Sequence, residues 1–166
     1  MYEEHFAFVW RNLRRLGVPE ASLRDAAQDV FVVVHRRLGE YDARSKLRSW
    51  LYSILNRVAR EYGRRRRRKD PARVEDAEQV ADPRAEPPDQ GAERSESLRL
   101  LLRLLDDLDL EKREAFVLSD LEEMTAPEIA DALGVNLNTV YSRIRAARRE
   151  LSAALQLRNA LAPRSQ

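Results

Sequence analysis

An all-α fold of two small helical domains follows from three features of the sequence. Apolar residues recur at helical spacing in both halves of the chain, glycine is scarce at 5 of 166 residues, and an acidic, proline-rich stretch divides the two periodic parts. A length of 166 residues suits one ordinary domain or two small ones. With 35% charged residues, the composition favours a soluble helical chain over a sandwich or barrel.

The first domain is expected over residues 1–69 as three helices. Phe6, Val9, Trp10, Leu13 and Leu16 form one apolar stripe, which Gly17 and Pro19 end. Ser22 and Asp25 resemble a capping box with a short acid. Ala27, Val30, Phe31, Val34 and Leu38 line the next helix, and Gly39 stops it. Leu47, Trp50, Leu51, Ile54, Leu55, Val58 and Tyr62 give the third helix its buried face. Its polar face carries Ser49, Ser53, Asn56, Arg60 and Arg64 along one side. A helix from Leu47 to Arg68 would be roughly 33 Å long, about one turn of duplex DNA. Taken alone, such a polar stripe is more simply read as a solvated face.

Residues 70–95 contain Pro71, Pro83, Pro87, Pro88 and Gly91 among Asp76, Glu78, Asp82, Glu86 and Asp89. So few large apolar groups cannot offset the entropy of ordering the chain, so the stretch reads as a flexible acidic linker. The second domain is expected over 96–157, with a tail at 158–166. Leu98, Leu101, Leu102, Leu105 and Leu108 mark one amphipathic helix, and Phe116, Val117, Leu118 and Leu121 another. Thr125-Ala-Pro-Glu128 is a capping box with proline early in the helix, where its missing donor matters little. Ile129, Ala130 and Leu133 follow, Gly134 supplies a turn, and Asn136 can cap a last helix with Val140, Ile144, Ala147 and Leu151 inward. Helix, short glycine turn and helix make a helix-turn-helix. The outer face of the last helix, with Asn138, Thr139, Tyr141, Ser142, Arg143, Arg145 and Arg148, suits a major groove.

Net charge is only +2, but Arg64 to Lys69 and Arg143, Arg145, Arg148 and Arg149 form basic clusters, which is the pattern a polyanion selects. The absence of cysteine excludes disulfides, thiolate metal sites and a cysteine nucleophile. His5 and His35 are too far apart in sequence to suggest a metal pair, and no metal or cofactor is expected. No acid cluster at metal-ligand spacing, phosphate-binding glycine loop or nucleophile–base pair points to an enzyme, and no catalytic residue is assigned. The first residues lack a signal-peptide pattern and no run is apolar enough to insert in a membrane, so a cytoplasmic protein is expected.

Both modules resemble the extracytoplasmic-function, or group IV, sigma factors of bacterial RNA polymerase. Asp25-Ala-Ala-Gln28-Asp29-Val30-Phe31 resembles the family's core-binding helix. Leu47-Arg48-Ser49-Trp50-Leu51-Tyr52-Ser53-Ile54, followed by Asn56, is similar to its promoter-melting segment. Ala130 to Val135, Thr139 to Ile144 and Ala147-Arg148 resemble its terminal helix-turn-helix. The likeness spans nearly the whole chain outside the linker and the last dozen residues. Leu47, Asn138 and Tyr141 depart from it, standing where the family often has phenylalanine, glycine and a basic residue.

The resemblance implies sigma region two in the first domain and region four in the second. Asp25, Gln28 and Asp29 would then meet the clamp helices of the polymerase's largest subunit. Arg44, Ser45, Lys46, Asn56, Arg57, Arg60 and Arg64 would hold the melted minus-ten element, where a flipped base and a displaced strand need a pocket and positive charge. Trp50 reads as core rather than as a stacking platform. Asn138, Thr139, Tyr141, Ser142, Arg143, Arg145 and Arg148 would face the minus-thirty-five element, with Arg143 on phosphate and Arg145 reading bases. The implied partners are core polymerase, promoter DNA and an anti-sigma factor. The competing reading is a helix-turn-helix regulator that binds duplex DNA tightly without polymerase.

Overall fold

The computed structural model describes residues 2–44, 46–69 and 91–161; the expectations for 70–90, for Ser45 and for the end of the tail lie outside these. Among the described residues every regular element is helical: α1 (Tyr2–Arg15), α2 (Leu23–Arg37), α3 (Leu47–Lys69), α4 (Gly91–Asp106), α5 (Leu110–Phe116), α6 (Ala126–Leu133) and α7 (Leu137–Leu161), with short 3-10 and π turns between them.

In the first module α1, α2 and α3 pack mutually around Val9, Leu13, Leu23, Val30 and Leu55, none of which is exposed. Truncating one such leucine to alanine typically costs about 2–5 kcal/mol. Tyr52, on α3, is wholly buried, and desolvation drives its hydroxyl pKa upward. Trp50 is half-buried and packs on Tyr41 with ring centroids 5.1 Å apart, in keeping with a packing role. One local expectation fails: Ser22 makes no capping hydrogen bond. A 3-10 turn at Glu20–Ser22 precedes α2, so Ser22 has near-helical dihedrals, and its N–H bonds to the Pro19 carbonyl at 2.8 Å.

The second module is built around α7, which packs on α5, α6 and α4. α4 begins at Gly91, inside the stretch read as linker, and α7 runs to Leu161, past the boundary at 157. The helix-turn-helix forms as the local chemistry dictates. The Glu128 carboxylate accepts from the Thr125 N–H and hydroxyl, both at 2.7 Å. Gly134 takes the left-handed conformation (φ 67°) that lets its N–H and that of Val135 close on the Ala130 carbonyl. The Asn136 side chain then accepts from the Thr139 N–H at 2.9 Å and starts α7.

The modules are not separate bodies on a string. One apolar cluster joins Val9, Leu13 and Leu55 of the first module to Leu118, Met124 and Ile129 of the second. α6 packs along α3, and Gly17 (φ 84°) lies so close to Arg113 that a Cβ there would stand 2.8 Å from the guanidinium.

Candidate nucleic-acid interface

α7 offers the simpler surface. Val140, Ile144, Ala147 and Leu151 are buried at three- and four-residue steps, which leaves Asn138, Tyr141, Ser142 and Arg145 exposed on the opposite side. Thr139 is half-buried. The arginines divide into two groups. Arg143, its side chain only 19% exposed, pairs with Glu111 of α5 at 2.7 Å. Arg148 grips Asp120 at 3.0 Å. Arg145 and Arg149 are exposed and pair with no acid among the described residues. The flanking arginines thus brace α7 against α5 and the turn that follows it, while its crest keeps free donors.

On α2, Asp25, Gln28 and Asp29 are all exposed. Gln28 borders a shallow groove with Phe6, Phe31 and Val32. Asp29 accepts a hydrogen bond from Tyr62 of α3 at 2.8 Å. Burial and then that bond push the Tyr62 hydroxyl up to about 12.

The α3 side is less simple. Before the helix, Arg44 extends into solvent and pairs with its neighbour Asp42 at 2.9 Å, and the Asp42 carboxylate also accepts from the Arg44 N–H. Arg57 and Arg64 are exposed. Ser49 and Asn56, expected on the polar face, are buried. At Asn56 the second module contributes, for its carboxylates reach across onto α1 and α3. Arg60 donates to both oxygens of Glu114, at 3.1 and 2.9 Å, and Asn56 hydrogen-bonds the same group. Lys46 meets Glu128 at 2.7 Å. Glu122, 1% exposed, accepts from Arg11, Arg15 and Arg48, each with a contact of 2.6 Å, and from Asn12 at 3.0 Å. The Phe8 ring lies under the guanidiniums of Arg11 and Arg48, 5.3 and 5.0 Å from its centroid.

These two buried acids differ in charge balance. Burial raises the Glu114 pKa, and Arg60 only partly opposes it. Burial acts the same way on Glu122, but the hydrogen bonds and charges of Arg11, Asn12 and Arg15 outweigh it, and the net shift is downward. A π turn at Val117–Leu121, closed by the Glu122 N–H on the Val117 carbonyl at 3.0 Å, continues α5 toward this contact. Sequence reasoning missed Arg11, Arg15, Arg48, Glu114 and Glu122. One signal was present: Glu114 stands three and four residues before Val117 and Leu118, on the apolar stripe itself.

Comparison with known proteins fits this layout. Residues 1–69 match the Sigma-70 region 2 family and residues 98–151 match Sigma-70, region 4. RNA polymerase sigma factor NccH of Alcaligenes xylosoxydans xylosoxydans is 33% identical over 167 residues, covering 94% of this chain and 85% of NccH. ECF RNA polymerase sigma factor SigE of Mycolicibacterium smegmatis is 34% identical over 153 residues, covering 91% of this chain and 58% of SigE. The chain belongs to the extracytoplasmic-function sigma factors. CnrH of Cupriavidus metallidurans is 36% identical over 149 residues, covering 86% of this chain and 78% of CnrH. A solved structure of CnrH with the cytosolic domain of CnrY superposes with a TM-score of 0.69 at 28% identity, covering 93% of this chain and 84% of that one. The sigma factor therefore directs RNA polymerase to promoters, and the reading as a regulator independent of polymerase gains no support. No described helix is long and apolar enough to cross a membrane.

Proposed function

We propose that this sigma factor divides promoter recognition between α7 and the α3 side, and grips polymerase through α2. The crest of α7 enters the major groove of the minus-thirty-five element, where Arg145, Tyr141 and Ser142 read base edges and Asn138 and Thr139 help seat the helix. Arg143 and Arg148 set the angle of the helix and supply positive charge near the backbone. Arg44, Ser45, Lys46, Asn56, Arg57, Arg60 and Arg64 hold the opened minus-ten strand. Asp25, Gln28 and Asp29 meet the clamp helices of the polymerase's largest subunit. The polymerase supplies all the chemistry; the sigma factor carries no catalytic group of its own and acts in the cytoplasm. CnrH was solved with CnrY, and an anti-sigma factor is the corresponding inhibitory partner here.

The observation that carries this reading is the division of the α7 arginines, two tied to acids and Arg145 left free beside Tyr141 and Ser142. Its test is transcription by core polymerase with this protein from a promoter library randomised upstream. Arg145→Ala should relax the selected motif at one or two positions, because a bidentate arginine–guanine contact discriminates by about 1–3 kcal/mol. An unchanged motif removes Arg145 from base reading.

A further inference from the structure

Across 125–151, the helix-turn-helix, two large apolar side chains are left in solvent: Leu137 at 43% and Tyr141 at 52% exposure. They are the first and fifth residues of α7, so they are neighbours one turn apart on its surface. The same row continues with Arg145 and Arg149, which are exposed and pair with no acid among the described residues. The Asn136 side chain, accepting from the Thr139 N–H at 2.9 Å, fixes where α7 begins and so makes Leu137 its leading residue. A leucine–tyrosine pair at this spacing steadies any helix slightly. That effect does not require the pair to stand at the head of the row that carries the unpaired arginines, next to Asn138 and Ser142.

We infer that Leu137 and the Tyr141 ring form an apolar shelf at the leading end of α7 that reads the C5-methyl group of a thymine in the minus-thirty-five element. The inference deepens the assignment of the α7 crest to that element and rests on it. The leading residues of a recognition helix are the ones that reach base edges. A leucine can neither donate nor accept a hydrogen bond, and the thymine methyl is the apolar group that a base edge offers in the major groove. The shelf therefore favours thymine over cytosine, which lacks the methyl, and it works through the tyrosine ring rather than the hydroxyl. Leu137 and Arg145 are eight residues apart, roughly 12 Å along the helix, which is the span of three to four base steps. The thymine accordingly lies within about four base pairs of the base that Arg145 reads. The crest then discriminates in two ways, by hydrogen bonds at Arg145 and by a methyl contact at its leading end.

The test uses core polymerase with the full chain, at limiting concentration, on synthetic promoters that carry the upstream sequence selected from the randomised library. Deoxyuridine replaces each thymine of that sequence in turn, which removes the methyl and leaves base pairing intact. At one or two positions initiation should fall roughly fourfold, the worth of one buried methyl. L137A and Y141A should each shrink that difference to less than about twofold, whereas Y141F, which keeps the ring, should retain it. Both side chains are exposed, so circular dichroism should show the helical content of the variants unchanged. Deoxyuridine without effect at every position would overturn the inference, as would a methyl effect that persists in full in either alanine variant or is lost in Y141F. R145A reports separately on the underlying assignment: a motif relaxed by R145A, with no methyl effect, keeps α7 on the minus-thirty-five element and removes the shelf alone.

Discussion

α3 and α7 are both long, arginine-bearing helices, yet their arginines are disposed in opposite ways. On α7 the pairing acids, Glu111 and Asp120, come from the same module and hold the flanks, leaving the crest open. On the α3 side they come from the other module and pair with Lys46, Arg48 and Arg60, tying one module to the other. An ion pair within one module is fixed when that module folds, and it shapes the surface it borders. An ion pair between modules can be exchanged for another anion whenever the modules separate. The same chemistry serves as a brace in one place and as a latch in the other.

The contrast is sharpest at Glu122. Glu122→Ala strands Arg15, which is largely buried, beside Arg11 and Arg48, which can turn to solvent. Breaking a buried pair this way costs about 3–5 kcal/mol, and the exposure of two partners places the expected loss near 3. Urea denaturation should show it, whereas Arg145→Ala should leave the unfolding free energy within about 0.5 kcal/mol of wild type. Equal losses would erase the distinction between latch and crest.

Arg143→Ala comes next. It removes a partly buried brace, with an expected loss of about 1 kcal/mol in stability. Transcription should fall on every promoter alike, with a shallower salt dependence, because a group near phosphate carries no sequence information. A change confined to certain promoters would move Arg143 into the base-reading set.

The smallest effect concerns Glu128, whose pKa Lys46 and then Thr125 hold down at about 2. A carboxylate with a depressed folded pKa contributes stability that is complete above its ordinary value of 4.5 and lost as pH falls toward 2. Lys46→Ala should raise the Glu128 titration midpoint, read by carbon-13 NMR of the carboxyl group, and cost about 0.5 kcal/mol at pH 6. An unmoved midpoint would mean that the Thr125 cap alone sets it.

The sequence showed most where the physics is local. The Thr125–Glu128 box, the Gly134 turn and the Asn136 cap each involve groups within a few residues, and all three form as expected. Local chemistry misled at Ser22, where a preceding 3-10 turn left no need for a side-chain cap. The start of α4 was hidden because Gly91 and the polar residues after it look like the acidic stretch they follow. Arg11, Arg48 and Glu122 lie far apart in the chain, and as isolated charged residues they are indistinguishable from solvated ones. Only the fold brings them together, so the α7 crest could be anticipated and the ties between the modules could not.

The tie between the α3 side and the second module is tested most directly by the distance between the modules. Gly39, where a side chain meets nothing within 4 Å, and Ser97, exposed on α4, are suitable cysteine sites for a fluorophore pair. In the free protein at low salt, energy transfer should report one narrow distance. The distance should lengthen as salt screens the ion pairs, and again when core polymerase binds. A broad distribution in the free protein at low salt, with the same mean as in the polymerase complex, would contradict the account.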